Sequence, residues 1–484
     1  MSFPGRLSWV VLRKQVPIFY AEEKDQEDEI MAKASKDWGD IEDGSWMLDQ
    51  FSLDLHLVQP PELSTLSLRA KAESREYGGI TCLLESVVEN FLVMALLVGN
   101  SLYWLVYDAA KNSVSLLPAP MDSVLASADD DSLLCLRQPA VLPRDDGSCD
   151  LLDVGLCFDG PGEVLPRSCI LFRWSNRGPG KTWTKQEARV IPHAPLTLTA
   201  QCPVSHIYQA DVVFTFNGKV FWVDLEIGAI VYDLLSTGTT TQDGELDFIQ
   251  LPHECQGSDF SRSYPRERRT MGPVGNSIKL ISIVTTNGDN PGNNTDPADV
   301  VLRSWTLSPD LRSWTRDDDM ELPLPLLWAS EAYKRERLPQ AMPKNPVLKT
   351  DEDGVLYLLL GDYYVDLDTM VRLCREIECV ISINMHTKSL LSRSHRPIKD
   401  GLPPMWQHKD QPSKGFRPNM PSLFAAKFCP SHTGWSESDV LLPKKKRNHL
   451  IDGNLNLNLL LPLLLLLLLG VICAHSARLM TTVG

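Results

Sequence analysis

Three kinds of chemistry are invited by residue types and spacing in this chain: a phosphate loop, a nucleophile beside its base, and a metal cage. Gly178-Pro179-Gly180-Lys181-Thr182 ends like a phosphate loop. Such a loop needs a glycine five positions before the second one, where Ser175 stands, and a following helix whose N–H groups converge on phosphate. Thr182 to Ile191 reads as a strand instead, so a hairpin turn explains the Gly and Pro. His253-Glu254-Cys255 sets a thiol beside a base, but closeness in sequence does not give hydrogen-bond reach, and the segment follows Pro252 at a strand end. It is read as a loop. The ten histidines include no His-Glu-x-x-His, and none flanks a Gly-x-Ser-x-Gly elbow. Asp317-Asp318-Asp319 and Asp351-Glu352-Asp353 are acidic turns, and the second, running into Gly354, needs no calcium to explain it. Cys374 and Cys379 have four residues between them and no second pair nearby, whereas zinc needs four converging ligands. The expectation is therefore no catalytic, cofactor-binding or metal-ligating residues, no small-molecule substrate, and no enzyme. An enzyme whose site is assembled from distant loops stands as the competing reading.

The elements that position these residues belong to a chain of 484 residues, which allows two to four domains or one large repetitive one. Apolar residues make up 43% and charged residues 23%, which excludes a wholly disordered chain. The formal net charge of −15 excludes a global basic footprint, so no nucleic-acid partner is expected. Residues 21–43 hold ten acidic residues against three lysines and read as a solvated, mobile segment, or as an acidic docking tail for a basic partner. Eleven scattered cysteines form no disulfide framework and read as buried reduced thiols in a reducing compartment. The 34 prolines and 29 glycines argue against a long helical bundle.

Residues 211–252 are the most legible stretch. Val212 to Phe216 is rich in β-branched and aromatic residues; Asn217-Gly218 is the strongest two-residue hairpin signal; Lys219 to Asp224 is the return strand. Gly228 marks a second turn, and Ala229–Leu234 and Leu246–Leu251 complete four short antiparallel strands, the size of one propeller blade. Similar groups are read at Ser101–Tyr107 with Ser113–Leu117, and at Ser168–Trp174 with Thr182–Ile191. Two more are Ile278–Val284, Val300–Leu307 and Ser313–Arg316, and Val355–Leu360, Val380–Met385 and Ser389–Leu391. A single such group cannot bury both sheet faces, so radial stacking is the natural solution. The fold class expected is all-β, an irregular β-propeller-like array of antiparallel sheets, with two packed β-sandwich-like sheets as the alternative. The twelve tryptophans sit mostly on strands and are read as inter-sheet packing.

Beyond residue 395 the strand pattern fades. Residues 396–454 read as a Pro- and Lys-rich disordered linker containing the basic cluster Pro443-Lys444-Lys445-Lys446-Arg447. Leu455 to Ala474 follows: twenty residues, twelve of them Leu, none charged. At about 1.5 Å per residue it spans roughly 30 Å, the hydrocarbon thickness. Four positive charges precede it and only Arg478 follows, so the body is expected on the cytosolic side with residues 475–484 across the membrane. The N-terminus lacks a signal core, and Ser8 to Leu12 reads as a strand. The reading is a single-pass tail anchor. The alternatives are a buried hydrophobic helix, an aberrant chain end, or a soluble or nuclear protein using the basic cluster for import.

Several phrases, taken in order, resemble the plant family named domain of unknown function 1618 (DUF1618), which is expanded in grasses. They are Trp9-Val10-Val11-Leu12, the segment Tyr107 to Pro118, Val220-Phe221-Trp222-Val223-Asp224 with Gly228 and Tyr232-Asp233-Leu234, Ile278-Lys279-Leu280-Ile281, Ser304-Trp305-Thr306-Leu307 and Met385 to Leu391. The resemblance covers roughly residues 7–395, with a core at 211–360. It implies a module of no assigned reaction, akin to the propeller-like modules attached to F-box proteins, and brings no functional residues. Residues 362–378 look like an insertion in the family pattern, and the hydrophobic tail is not part of it. The domain reading is an N-terminal strand and acidic segment (1–48), N-terminal β repeats (49–209), central and C-terminal β repeats (210–395), the linker (396–454), the transmembrane helix (455–474) and a short tail (475–484). The function expected is a protein-interaction module on a membrane, with unknown protein partners. The alternative is a soluble or nuclear adaptor.

Overall fold

A computed structural model describes residues 9–20, 35–36, 51–56, 60–71, 80–99, 101–108, 111, 113–120, 133–135, 138–157, 168–175, 183–192, 208–235, 244–255, 265–287, 295–366, 371–394 and 423–427. These residues are predominantly β and form several sheets. They group into six units in chain order. The first combines Trp9–Arg13, Ile18–Tyr20, Phe51–His56, Leu63–Ala70 and Leu423–Lys427. The second holds Ile80–Val88, Phe91–Val98, Ser101–Asp108 and Ser113–Pro118, with two-residue strands Gln15–Val16 and Ser35–Lys36 at its edges. The third holds Leu133–Cys135, Ala140–Pro143, Cys149–Cys157, Ser168–Ser175 and Thr184–Pro192. The fourth holds Val212–Phe216, Lys219–Asp224, Gly228–Asp233 and Gly244–Gln250. The fifth holds Arg269–Val274, Ser277–Thr285, Val300–Leu307, Trp314–Arg316 and Leu322–Pro323. The sixth holds Lys344–Leu348, Val355–Asp366, Val371–Asn384 and Ser389–Arg393.

The fourth unit shows why these sequences fold as they do. Asn217 and Gly218 adopt φ values of 49° and 72°, the left-handed pair that a two-residue hairpin needs. The return strand then alternates between two cores. Val220 and Trp222 pack with Leu152, Leu171 and Tyr208 of the preceding sequence, whereas Phe221 and Val223 pack with Leu280 and Trp305 of the following unit. A strand buried on both faces reads as a continuous apolar run, because alternation marks only a half-wet sheet. Gly228 lets the neighbouring strand come close: a Cβ there would lie 2.2 Å from the Ile249 carbonyl oxygen.

The same two-sided burial repeats along the chain. Leu92, Met94 and Leu96 face the first unit, while Val93 and Ala95 face Leu151 and Trp174 of the third. In the fifth unit Ile278 and Leu280 face the fourth, while Ile281 and Ile283 face Leu356 and Ile381 of the sixth. Five apolar cores thus join six consecutive units. Leu423–Lys427 pairs antiparallel with Trp9–Arg13 and also contacts Lys344–Leu348 of the sixth unit.

Several expectations change. Residues 396–454, read as a linker, contain that closing strand. Residues 362–378, read as an insertion, lie largely on the lengthened hairpin Val355–Asp366 and Val371–Asn384. Ser35–Lys36, inside the acidic stretch, pairs with Ser113–Val114. The third and fourth units are one nine-stranded sheet, because their last strands pair in parallel, Ala188 with Gly244 through Pro192 with Phe248. Two short helices follow the fifth unit, α1 (Leu324–Ala329) and α2 (Glu331–Arg335), the second capped by Ser330 accepting from the Tyr333 N–H. Among the described residues no helix is long and apolar enough to cross a membrane, and residues 455–474 lie outside them.

Candidate functional site

Polar side chains gather where the first strands of the units meet. Lys14, between the first unit and the Gln15–Val16 edge strand, is held at 2.6 Å by Glu85, whose carboxylate also accepts from the Gln138 amide at 2.9 Å. Arg266 donates to Asp211 at 2.9 Å and to the Ala210 carbonyl at 3.2 Å. Lys344 lies 3.8 Å from Glu267. Burial, with Arg266 nearby, lowers the Lys14 ammonium to about 8, against the pull of Glu85. Burial raises the Asp211 carboxyl, with Arg266 opposing. The Trp222 indole donates to the Gln138 carbonyl at 3.2 Å. The Tyr208 hydroxyl donates to the Trp222 carbonyl at 2.5 Å and accepts from the Ile230 N–H at 3.1 Å. These groups hold each other, so their chemistry is cross-linking of one unit to the next.

A second cluster joins the fifth and sixth units. The two acidic turns singled out from the sequence converge here. Asp317 accepts from Ser304, Thr306 and Lys279, and Lys279 also lies 3.4 Å from Asp353. His386 sits between Asp319 at 3.3 Å and Asp353 at 3.6 Å. Gly354 has φ 75°, and its missing Cβ leaves room for the His386 ring. Lysine supplies the positive charge between the turns. No group of His, Cys, Asp or Glu among the described residues is arranged to hold a metal ion.

The third location is open. A cleft of about 360 Å³ lies between residues 248–254, at the end of the fourth unit, and residues 311–316, at the edge of the fifth. Trp305 is buried at its base, and Trp314 ties the walls together by donating from its indole to the Gln250 carbonyl at 2.8 Å. Leu311 adopts φ 61°, a left-handed conformation rare for a residue with a branched side chain. The turn is fixed by Ser308, whose hydroxyl accepts from the Ser313 N–H at 3.0 Å. Arg316 pairs with Glu321, and lies 3.4 Å from Asp318 and 3.7 Å from Glu254. Arg312 and His253 are exposed beside it.

Register shows what the edge offers. The Asp317 N–H donates to Ser304 and the Ser308 N–H to Ser313, so Thr315 faces Thr306 in the ladder. The N–H and C=O groups of Trp314 and Arg316 therefore point away from it. The arrangement can accept another strand and a side chain beside it.

The other residues singled out from the sequence separate. His253–Cys255 forms a short 3-10 turn, with His253 and Glu254 exposed and Cys255 buried, its thiol pushed up to about 11 by burial. The site residue that sequence reasoning missed is Trp314, which was grouped with packing tryptophans; its place on a short last strand was the available signal. Residues 176–182 lie outside the described residues, and the segment after them is a strand, Thr184–Pro192. Cys82, Cys149, Cys169, Cys255 and Cys379 are buried thiols, with no disulfide among the described residues.

The fold and its sites define a predominantly β chain of serially packed sheets. Residues 222–357 match the family described as protein of unknown function (DUF1618). The match spans most of the fourth unit, the fifth unit and the start of the sixth, so it contains both walls of the cleft. No curated protein matches the chain. Among solved structures, the GH43 BlXynB protein from Bacillus licheniformis is 10% identical, with 65% of this chain and 58% of that chain covered and a TM-score of 0.29. Hydrazine synthase from Kuenenia stuttgartiensis is 10% identical, over 62% and 77%, with a TM-score of 0.25. A post-proline cleaving enzyme from Rickettsia typhi is 9% identical, over 67% and 46%, with a TM-score of 0.25. The chain thus spans under two thirds of the first and third of these proteins.

Proposed function

We propose that this chain is a non-enzymatic protein-interaction module built as a six-unit, propeller-like ring, with the cleft between the fourth and fifth units as its binding face. One observation carries the reading: the charged groups where the first strands meet are engaged with one another, whereas the Trp314–Arg316 edge and its cleft are open. Five apolar cores in series and the pairing of Leu423–Lys427 with Trp9–Arg13 support the ring. The twenty-residue Leu-rich segment supports a membrane tether, with the body on the cytosolic face.

Two experiments test this. Affinity purification of the full chain beside its Trp314→Arg variant is expected to show partners lost from the variant; identical partner sets would remove the cleft as the binding face. Alkaline carbonate extraction of the full chain beside one ending at Asn454 is expected to leave only the full chain in the pellet. Solubility of both would favour the soluble or nuclear adaptor, with Pro443 to Arg447 as its import signal.

A further inference from the structure

We infer that the occupant of the cleft is an extended basic peptide, added as a strand along Trp314–Arg316 with its cationic side chains on Glu254 and Asp318. This rests on the interaction-module reading and names the partner chemistry of the same cleft. The backbone argument comes from register: the amide and carbonyl groups of Trp314 and Arg316 face away from the ladder, and no strand among the described residues pairs with that edge. Three strand residues suit a short peptide, and about 360 Å³ lies at the small end of ligand pockets. The aromatic and apolar lining, Trp314 with Leu311 and Phe248, takes the peptide side chain that points inward.

The charge argument comes from the balance of signs and from which sign faces water. Glu254, Asp318 and Glu321 share the single Arg316, and Glu321 also lies 3.4 Å from Arg303. Asp310 answers Arg312: its carboxylate accepts the Arg312 N–H at 3.2 Å and acts on the guanidinium charge. Asp317 holds Lys279 at 3.1 Å, and Asp319 lies 3.3 Å from His386. The six carboxylates that adjoin the strand thus meet four lysine and arginine side chains. The excess is also the outward sign. The Asp318 and Asp319 side chains are 89% and 75% exposed, whereas those of Arg303 and Lys279 are 9% and 8% exposed. An added strand therefore runs past carboxylates, which lysine or arginine on its alternate positions answers. Because these pairs form at a hydrated rim, they set the sign and register of the partner more than its affinity.

The test is selection of a displayed random octapeptide library on the full chain, followed by anisotropy titration of a fluorescein-labelled selected peptide. Selected sequences are expected to share Lys or Arg. Asp318→Lys is expected to weaken binding about tenfold, Asp318→Asn only a few-fold, and Arg312→Glu to tighten it a few-fold. N-methylation of alternate peptide amides is expected to weaken binding at least about tenfold in one register and little in the other. Because the Asp318 side chain is 89% exposed, circular dichroism of its variants should match the parent. Peptides that are neutral or acidic, or are indifferent to Asp318→Lys or to N-methylation in both registers, would overturn this inference and leave the interaction module standing. Recovery of no peptide would overturn it in the same way. Peptides bound equally well by Trp314→Arg would remove the cleft as the binding face and overturn both.

Discussion

Two regions of this molecule carry dense charge, and they use it in opposite ways. Where the first strands meet, Lys14, Glu85, Gln138, Asp211 and Arg266 are buried or nearly so and bond to each other. At the cleft, Arg312 and His253 are exposed, and no strand among the described residues pairs with the outer edge of Trp314–Arg316. The first region resists change because removing any member strands a partner away from water. The second tolerates change because its groups are already hydrated.

The contrast is sharpest for Glu85→Ala, which leaves the buried Lys14 ammonium and the Gln138 amide without their acceptor. It is expected to cost about 3–5 kcal/mol, read as a shift in denaturant midpoint. Asp153 carries the next largest effect. It is 1% exposed, accepts the Val154 N–H at 2.8 Å, and burial raises its pKa to about 7. The folded state thus keeps a proton that the unfolded chain releases, and this stability, complete below the ordinary carboxylate range, is lost as pH rises through about 7. Asp153→Asn cannot titrate. It is expected to be more stable than the parent at pH 8 by on the order of 3 kcal/mol, a gap that closes toward pH 4 in parallel melts.

Tyr208→Phe removes the hydroxyl between the Trp222 carbonyl and the Ile230 N–H, and is expected to cost about 1–2 kcal/mol by the same denaturant assay. Arg312→Glu sits at the other pole. It is expected to change stability by less than about 0.5 kcal/mol in the same denaturant assay. A large loss of stability there would erase the distinction between the regions.

The sequence exposed the fold unevenly, for physical reasons. The fourth unit was legible because Asn217-Gly218 announces its own geometry. The second unit was half hidden: Ile80 to Val98 is apolar on both faces and turns at Glu89, which adopts φ 54° without a glycine to signal it. The closing strand Leu423–Lys427 is five residues long, and its partner lies at the far end of the chain, so local pattern could not reveal it. The acidic turns were visible as turns, but their convergence on Lys279 and His386 needs a contact between units. The cleft was least legible, since Trp314 and Arg312 acquire their roles from what their neighbours already engage.

Hydrogen exchange on the full chain measures both regions at once. The account predicts slow exchange at Phe221 and Trp222, which lie in a ladder buried on both faces. It predicts fast exchange at Trp314 and Arg316, whose amides point away from the ladder. Exchange at Trp314 and Arg316 as slow as at Phe221 and Trp222 would contradict it.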